Sequence, residues 1–178
     1  YWITIVGNKT TLVDNGTING SQIQYIAWMF LSNETKAIEI LKHYDASHVL
    51  IFITFDTQGK DIGWGDESKW RWMARISERC TGLNDTGYRN MVFDSETLQY
   101  KDQGWNYIGN HTIIYKMMQL GKQDVDPSFG EQLDETSKNM FSQHFQLVYT
   151  SVGATGEGPK SKSYGGAYGV VCIFEVKY

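Results

Sequence analysis

An uninterrupted apolar run at residues 49–53 (Val-Leu-Ile-Phe-Ile) constrains the fold of this chain most strongly. The run is short and rich in β-branched residues, so it predicts a strand rather than a helix. Helical periodicity precedes it and returns after a glycine turn at residues 63–65 (Gly-Trp-Gly). A fully apolar strand between helices is typical of α/β folds in which helices cover the sheet. We therefore predict a mixed α/β fold with this strand buried on both faces.

Five segments have the apolar spacing of helices. The first starts at Ser21, which forms a capping-box pattern with Gln24, and the second follows an N-cap at Ser32 or Asn33. The others cover residues 66 to about 80, 113–120 and, more weakly, 133–140. We place the ends of the third and fourth at Gly82 and Gly121, because glycine readily adopts the left-handed conformation of a helix C-terminus.

The remaining segments predict strands and loops. Residues 3–6 and 10–13 flank a Gly-Asn-Lys turn and predict a hairpin, followed by a loop at 14–20. Residues 83–110 are expected to be irregular, with a short strand near 89–93 and a turn at 101–104. Residues 145–150 and 170–176 predict two strands joined by a glycine-rich loop. We expect one globular domain over residues 1–178, with several helices around a small sheet and a β-rich C-terminal end.

Composition excludes several classes of protein. The 178 residues are 41% hydrophobic and 20% charged, which is typical of a folded domain. The formal net charge is −4 and no basic block occurs, which argues against a nucleic-acid partner. No apolar run approaches the roughly 20 residues that span a bilayer. Because the sequence begins with Tyr1 in the middle of a pattern, we expect a fragment of a longer protein.

Familiar catalytic and metal-binding patterns are weak or missing. Cys80 and Cys172 lack metal-ligand spacing, and we favour two small core residues, while a disulfide stays open in an oxidising compartment. The four histidines share no ligand spacing. The glycine-rich segment 153–161 differs from a phosphate-binding loop because Pro159 stands where the lysine is needed.

Acceptor sequons for N-glycosylation are frequent in this chain. Asn-x-Ser/Thr occurs at Asn8, Asn15, Asn19, Asn33, Asn84 and Asn110. A chain rich in Asn and Thr produces such triplets by chance, and this explanation carries about as much weight as the functional one. The functional explanation is that the protein faces an extracytoplasmic compartment where sequons are modified.

The segment after the glycine turn carries the most distinctive combination of residues. Asp66, Lys69, Trp70 and Met73 share one face of a helix, since residues three and four apart are neighbours there. A second apolar line on this helix contains Trp72 and Ile76, and we assign that line to the core of the domain. The face with Asp66, Lys69 and Met73 is then available for a partner or a substrate.

Two stretches resemble one enzyme family. The pattern Asp66-x-x-Lys69-x-x-x-Met73 closely resembles the DK motif of the catalytic subunit of oligosaccharyltransferase, in its archaeal and eukaryotic branch. Residues 1–3 (Tyr-Trp-Ile) and 10–17 (Thr-Thr-Leu-Val-Asp-Asn-Gly-Thr) resemble the segment that follows the Trp-Trp-Asp-Tyr-Gly motif of that family. The clear match covers roughly residues 1–76. The weak match of the rest favours an archaeal version, because a short C-terminal globular domain is typical there.

The resemblance implies a function for the whole protein. Such enzymes are multi-spanning membrane proteins that transfer an oligosaccharide from a dolichol-type lipid phosphate carrier to the Asn of Asn-x-Ser/Thr. Their C-terminal domain lies on the extracytoplasmic face, and acidic residues of the membrane part hold Mg²⁺ or Mn²⁺. The Trp-Trp-Asp-Tyr-Gly motif and the metal-binding acids do not occur in this chain, so we expect the fragment alone to be inactive.

Carried over residue by residue, the resemblance makes Asp66, Lys69 and Met73 the candidates for acceptor binding. The alternative for these three is structural: Asp66 as an N-cap, Lys69 as a solvated residue of the first turn and Met73 as core filling. At the level of the whole chain, two alternatives are an extracytoplasmic carbohydrate-binding or adhesion module and a structural domain without a site.

Overall fold

The computed structural model describes residues 3, 7–13, 18–152 and 166–178. Within these residues the chain forms six α-helices: α1 (Gly20–Phe30), α2 (Glu34–His43), α3 (Asp66–Thr81), α4 (Tyr107–Asn110), α5 (Ile113–Val125) and α6 (Glu135–His144). It also forms five strands: β1 (His48–Asp56), β2 (Arg89–Asp94), β3 (Gln99–Trp105), β4 (Phe145–Thr150) and β5 (Ala167–Val176). The predicted mixed α/β class is confirmed.

A three-stranded antiparallel sheet lies at the centre of the domain, with strand order β1-β5-β4. Residue Ile51 of β1 is opposite Cys172 of β5, and Phe145 of β4 is opposite Val176. Both β1 and β5 alternate between buried and more exposed residues, which is typical of a sheet with one face on the core. The two strands predicted near the C-terminal end are therefore confirmed and pair with each other.

The core forms where helices cover one face of this sheet. Ile51 and Ile53 of β1 and Cys172 and Phe174 of β5 are fully buried together with Met117 of α5. Helix α3 packs on α1 and on β1, and α6 packs on α2 and β4. The domain thus positions α3 between another helix and the edge of the sheet.

The prediction that β1 is buried on both faces is only partly right. Leu50 is exposed, whereas Ile53, Thr54 and Phe55 are buried in succession. In the described sheet β1 is an edge strand, so its outer backbone groups need partners other than a strand. Those partners come from α3 and the loop before it, as described below.

A second, two-stranded sheet confirms the short strand predicted near 89–93, which is β2, and corrects the rest of the prediction for residues 83–110. Strands β2 and β3 form an antiparallel hairpin with Phe93 opposite Tyr100. The turn predicted at 101–104 is instead part of β3, and the chain reverses at 95–98. There the Asp94 carboxylate accepts hydrogen bonds from the Glu96 and Thr97 N–H groups. Since β3 is largely polar and exposed, its sequence lacks the apolar signal of a strand.

Two predicted helix boundaries and one predicted strand also need correction. Asn19, and not Ser21, caps α1, because its side chain accepts the Gln22 N–H. Gly121 lies within α5, which continues to Val125. Residues 10–13 do not form the predicted strand, and residues 4–6 and most of the loop at 14–20 lie outside the described residues. Asn33 as the N-cap of α2 and Gly82, with φ of 70°, at the end of α3 are both confirmed.

Candidate functional site

The N-terminus of α3 lies directly on the outer edge of β1. Gly65 is the N-cap residue, and a Cβ atom added there would lie 2.4 Å from the Phe52 carbonyl oxygen and 3.0 Å from Ile53 Cα. Only glycine permits this approach of backbone to backbone. The first two side chains of α3, Asp66 and Glu67, therefore start from a position beside the unpaired edge of the sheet.

Asp66 is hydrogen-bonded to this edge of β1. Its Oδ2 atom accepts a hydrogen bond from the Phe52 N–H at 2.7 Å, and its Oδ1 atom lies 3.4 Å from the Lys69 ammonium. Burial raises the pKa of Asp66, although the Phe52 hydrogen bond and Lys69 oppose this effect by stabilising the charged form. Since Gly65 is the N-cap, the alternative of Asp66 as the capping residue is wrong.

Lys69 and Met73 extend the face that begins at Asp66. The Lys69 side chain is 56% exposed, whereas that of Asp66 is 16% exposed, so the ion pair has one fixed and one solvated partner. Met73 lies one turn beyond Lys69 and is partly buried against the core. The helix thus brings the three predicted residues onto one face, and Met73 contributes both to packing and to the accessible surface.

Glu67 is a structurally important residue that the sequence analysis missed. Its buried carboxylate accepts hydrogen bonds from the N–H groups of Gly63 at 3.0 Å, Gly65 at 2.9 Å and Thr54 at 3.1 Å, and from the Thr54 hydroxyl. It therefore holds the glycine turn and the strand edge together. The Glu67 carboxylate accepts the N–H of the N-cap residue Gly65, as the acidic residue of a capping box does. An acidic residue in the first turn after Gly-Trp-Gly is therefore the sequence signal for this role.

The assignment of Trp72 and Ile76 to the core is wrong. These side chains are 63% and 41% exposed, while Trp70 is only 3% exposed and contacts the Trp105 ring with centroids 4.4 Å apart. Lys69, Trp72, Met73 and Ile76 follow the spacing i, i+3, i+4, i+7, so they form one accessible stripe along α3. Trp64, just before the helix, is also exposed.

The remaining candidate groups are the two cysteines and the side chains that could bind a metal ion. Both Cys80 and Cys172 are free, Cys172 being buried and Cys80 half-buried. In the described ranges no three His, Cys, Asp or Glu side chains are close enough to hold a metal ion. Among the helices that the structure describes, none is long and apolar enough to cross a membrane.

The described sequons differ in accessibility. Asn8, Asn19, Asn33 and Asn84 are exposed. Asn110 is half-buried, and its buried Oδ1 atom has no hydrogen-bond partner among the described residues. Asn15 lies outside the described residues. Four sequons are thus open to modification in the folded domain, and Asn110 is poorly placed for it.

Comparison with known proteins identifies the class of relatives. Over most of its length the chain is similar to subunits of dolichyl-diphosphooligosaccharide–protein glycosyltransferases. No protein-family model matches the chain. The similarity supports the predicted kinship with oligosaccharyltransferase and does not favour a carbohydrate-binding or adhesion module.

The individual relatives are STT3 subunits from eukaryotes. The chain is 41% identical to subunit STT3 of Saccharomyces cerevisiae over 163 residues, which are 85% of this chain and 21% of the yeast protein. It is 39% identical to subunit stt-3 of Caenorhabditis elegans, with 66% of this chain and 15% of that protein covered. The identity to stt3 of Schizosaccharomyces pombe is 35%, with 71% and 16% covered. The chain thus spans about a fifth of the curated relatives or less.

Proposed function

We propose that this chain is the C-terminal globular domain of an oligosaccharyltransferase catalytic subunit and that it recognises the acceptor polypeptide. The longer protein transfers an oligosaccharide from a dolichol-type lipid phosphate carrier to the Asn of an Asn-x-Ser/Thr sequon. The observation that carries this proposal is the 41% identity to the yeast subunit over 85% of the chain. The accessible face of α3 that contains Asp66, Lys69 and Met73 supplies a surface for the acceptor.

Met73 provides selectivity for the third residue of the sequon. Met73 is partly exposed and shares a helix face with Lys69, so its side chain can contact the methyl group of a bound Thr. A bound Ser lacks this methyl. One methyl group is worth about 1 kcal/mol or less in a partly open pocket. Met73 therefore produces a preference for Thr and not a requirement.

The ion pair of Asp66 and Lys69 orients the rest of the pocket. Because the Phe52 N–H holds Asp66, the Lys69 ammonium is tethered near the start of α3 while its other hydrogens remain available. We assign these hydrogens to a Trp-Trp-Asp segment of the longer protein, which contacts the Ser/Thr hydroxyl. Because the Lys69 partner is solvated and lies 3.4 Å away, the pair adds only about 0–1 kcal/mol to stability, so its value lies in positioning.

Bond making belongs to other parts of the longer protein. In the proposal, a membrane part holds the lipid-linked oligosaccharide and binds Mg²⁺ or Mn²⁺ through acids outside this chain. The present domain lies on the extracytoplasmic face and is inactive by itself. Archaeal origin stays a prediction, and the relatives named above are eukaryotic.

An acceptor-peptide transfer assay tests this proposal. The full-length protein should transfer glycan to a Thr-sequon peptide, and the 178-residue chain should not. In the full-length protein, Lys69→Ala should lower transfer about tenfold, the loss of one hydrogen bond to a charged group. Lys138→Ala, an exposed lysine on α6, should leave transfer unchanged. Equal activity of the two lysine variants, or transfer by the 178-residue chain, would contradict the proposal.

A further inference from the structure

One glycosylation sequon opens directly onto a cavity of the domain. The cavity has a volume of about 740 Å³, within the usual range of ligand pockets, and Asn33 is part of its wall. Asn33 begins the sequon Asn33-Glu34-Thr35, in which Asn33 and Thr35 are both exposed. The wall does not include the other described sequon asparagines, which are Asn8, Asn19, Asn84 and Asn110. A sugar attached to Asn33 therefore starts at the wall of this cavity.

The side-chain amide of Asn33 can carry a sugar and keep its structural role. Its Oδ1 atom accepts the Lys36 N–H at 3.2 Å and so caps α2. Its Nδ2 atom has no hydrogen-bond partner in the part of the chain that the structure describes. Glycosylation replaces one hydrogen of Nδ2 and leaves Oδ1 unchanged, so the helix cap survives the modification.

An accessible aromatic pair forms one part of the cavity wall. Tyr107 is 77% exposed, and its ring centroid lies 4.1 Å from that of His111. His111 Nδ1 donates a hydrogen bond to the Tyr107 carbonyl oxygen at 2.7 Å, which holds the two residues together. Ile108 and Met140 of the wall are also exposed and extend this apolar surface. The C–H groups of a sugar ring carry partial positive charge and match the negative face of an aromatic ring.

Polar groups form another part of the wall. Asp134 and Thr136 are exposed, and the Ser137 N–H donates to the Asp134 carboxylate at 2.9 Å and holds it in place. A carboxylate and a hydroxyl can both bond to the hydroxyl groups of a sugar. Glu34 and Lys116 also line the cavity, but they are only 3% and 2% exposed and pair with each other, so we assign them no contact. The wall thus matches a sugar, which has an apolar ring face and a hydroxyl edge.

We propose that Asn33 carries an N-linked glycan whose first sugar lies in this cavity against Tyr107. The inference rests on the proposed function for the extracytoplasmic location, where sequons meet a lipid-linked oligosaccharide. In the transfer, a bond forms between Asn33 Nδ2 and the anomeric carbon of that donor, and the bond from this carbon to the phosphate oxygen breaks. The lipid phosphate leaves with the electron pair, and Nδ2 releases one proton to solvent.

The covalent link selects the glycan over other occupants of the cavity. A sugar attached to Asn33 is present beside the wall at a high effective concentration, whereas an unattached ligand depends on its own affinity for the same surface. The contacts with Tyr107, Asp134 and Thr136 therefore need to be only weak. Binding of free sugars by the domain is not required.

Glycopeptide mass spectrometry of the full-length protein, purified from cells that produce it naturally, tests the modification. We expect a glycan on Asn33. A bare Asn33 together with a glycan on Asn84, an exposed sequon that does not line the cavity, would overturn this proposal and leave the proposed function intact. Bare asparagines at all exposed sequons would overturn it as well and would also contradict the extracytoplasmic location in the proposed function.

Enzymatic release of the glycans tests the packing of the first sugar. The 178-residue chain is secreted from animal cells, so that each glycan starts with N-acetylglucosamine, and is treated with peptide-N-glycosidase. In the folded chain the Asn33 glycan should be released about tenfold more slowly than glycans on the exposed Asn19 and Asn84, because the enzyme must reach the bond at Nδ2. After unfolding the rates should be equal. No glycan on Asn33, or equal rates in the folded chain, would overturn the proposal.

Two wall variants and one control separate sugar contacts from other causes of slow release. Tyr107→Ser and Met140→Ser should speed release from Asn33 in the folded chain, the first by about tenfold, because each removes an exposed side chain from the wall. Phe93→Ser, an exposed aromatic residue on β2, should leave the rate unchanged. Thermal melts check that all three variants are folded. Slow release that persists in both folded wall variants would refute the contact between the sugar and the cavity.

Discussion

Replacing Glu67 by Ala should destabilise the domain far more than any exposed substitution on α3. The carboxylate accepts hydrogen bonds from the Thr54 and Gly65 N–H groups, both buried, and from the Gly63 N–H and the Thr54 hydroxyl. An unsatisfied buried donor costs about 1–3 kcal/mol, so the two buried N–H groups alone give about 2–6 kcal/mol. Relief from burying a charge offsets part of this. We expect a net loss of about 2–4 kcal/mol.

Urea unfolding followed by tryptophan fluorescence measures this loss. With a slope of about 3 kcal/mol per M, the midpoint should fall by roughly 1 M. Glu67→Gln should cost an intermediate amount, because its carbonyl oxygen still accepts but its NH₂ group faces other donors. Glu78→Ala, an exposed residue of the same helix, is the matched control and should stay within about 0.5 kcal/mol. If Glu67→Ala lost no more than Glu78→Ala, the carboxylate would not hold the glycine turn.

Further substitutions test the packing and the titration around the site. Burial raises the pKa of Asp66 above its usual 3.8, so the stability that this carboxyl contributes is present below pH 3.8 and is lost as pH rises through the raised value. Asp66→Asn should therefore gain stability relative to wild type as pH rises above 3.8 in urea titrations, and a constant difference would contradict this. Gly121→Ala should cost about 1–3 kcal/mol in urea unfolding, since the new Cβ would lie 2.6 Å from Cys172 Sγ. Gly20→Ala, where the structure describes no atom within 4 Å of an added Cβ, should be nearly neutral, and a stabilised Gly121→Ala would refute the close packing. Burial raises the pKa of the Cys172 thiol to about 12, so a thiol reagent should modify Cys80 in the native domain and Cys172 only after unfolding; fast native labelling of Cys172 would contradict its burial.

Much of the fold could be predicted because local signals and tertiary packing agree. The apolar run at 49–53 lies in β1. Asn33 caps the start of α2 through its side chain, and Gly82 ends α3 in the left-handed conformation that glycine favours. Strand β3 could not be predicted, because pairing with β2 and an Asx turn at Asp94 stabilise it without an apolar pattern. Gly121 does not end its helix. A glycine is needed there because Cys172 of β5 packs too close for a side chain, and this contact is not visible in the local sequence.

The rotation of α3 about its own axis could not be predicted from the sequence either, because it depends on tertiary contacts. Trp70 and Trp72 are equally apolar, so periodicity alone does not decide which one is buried. The contacts of Asp66 and Glu67 with the edge of β1 set the rotation of the helix, and they direct Trp70 inwards. The three predicted residues still share one face, because that relation depends only on their spacing. The exposure of Trp72 follows from the packing of α3 on its neighbours, which the sequence pattern does not encode.

We propose that the face of α3 around Met73 recognises the third residue of the sequon. The most direct measurement is transfer by the full-length protein to two peptides that differ only in Thr or Ser at that position, with wild-type protein and Met73→Ala. We predict that Met73→Ala lowers transfer to the Thr peptide up to about fivefold more than to the Ser peptide, the equivalent of one methyl contact. Equal losses on both peptides would show that Met73 serves only packing and would contradict the claim.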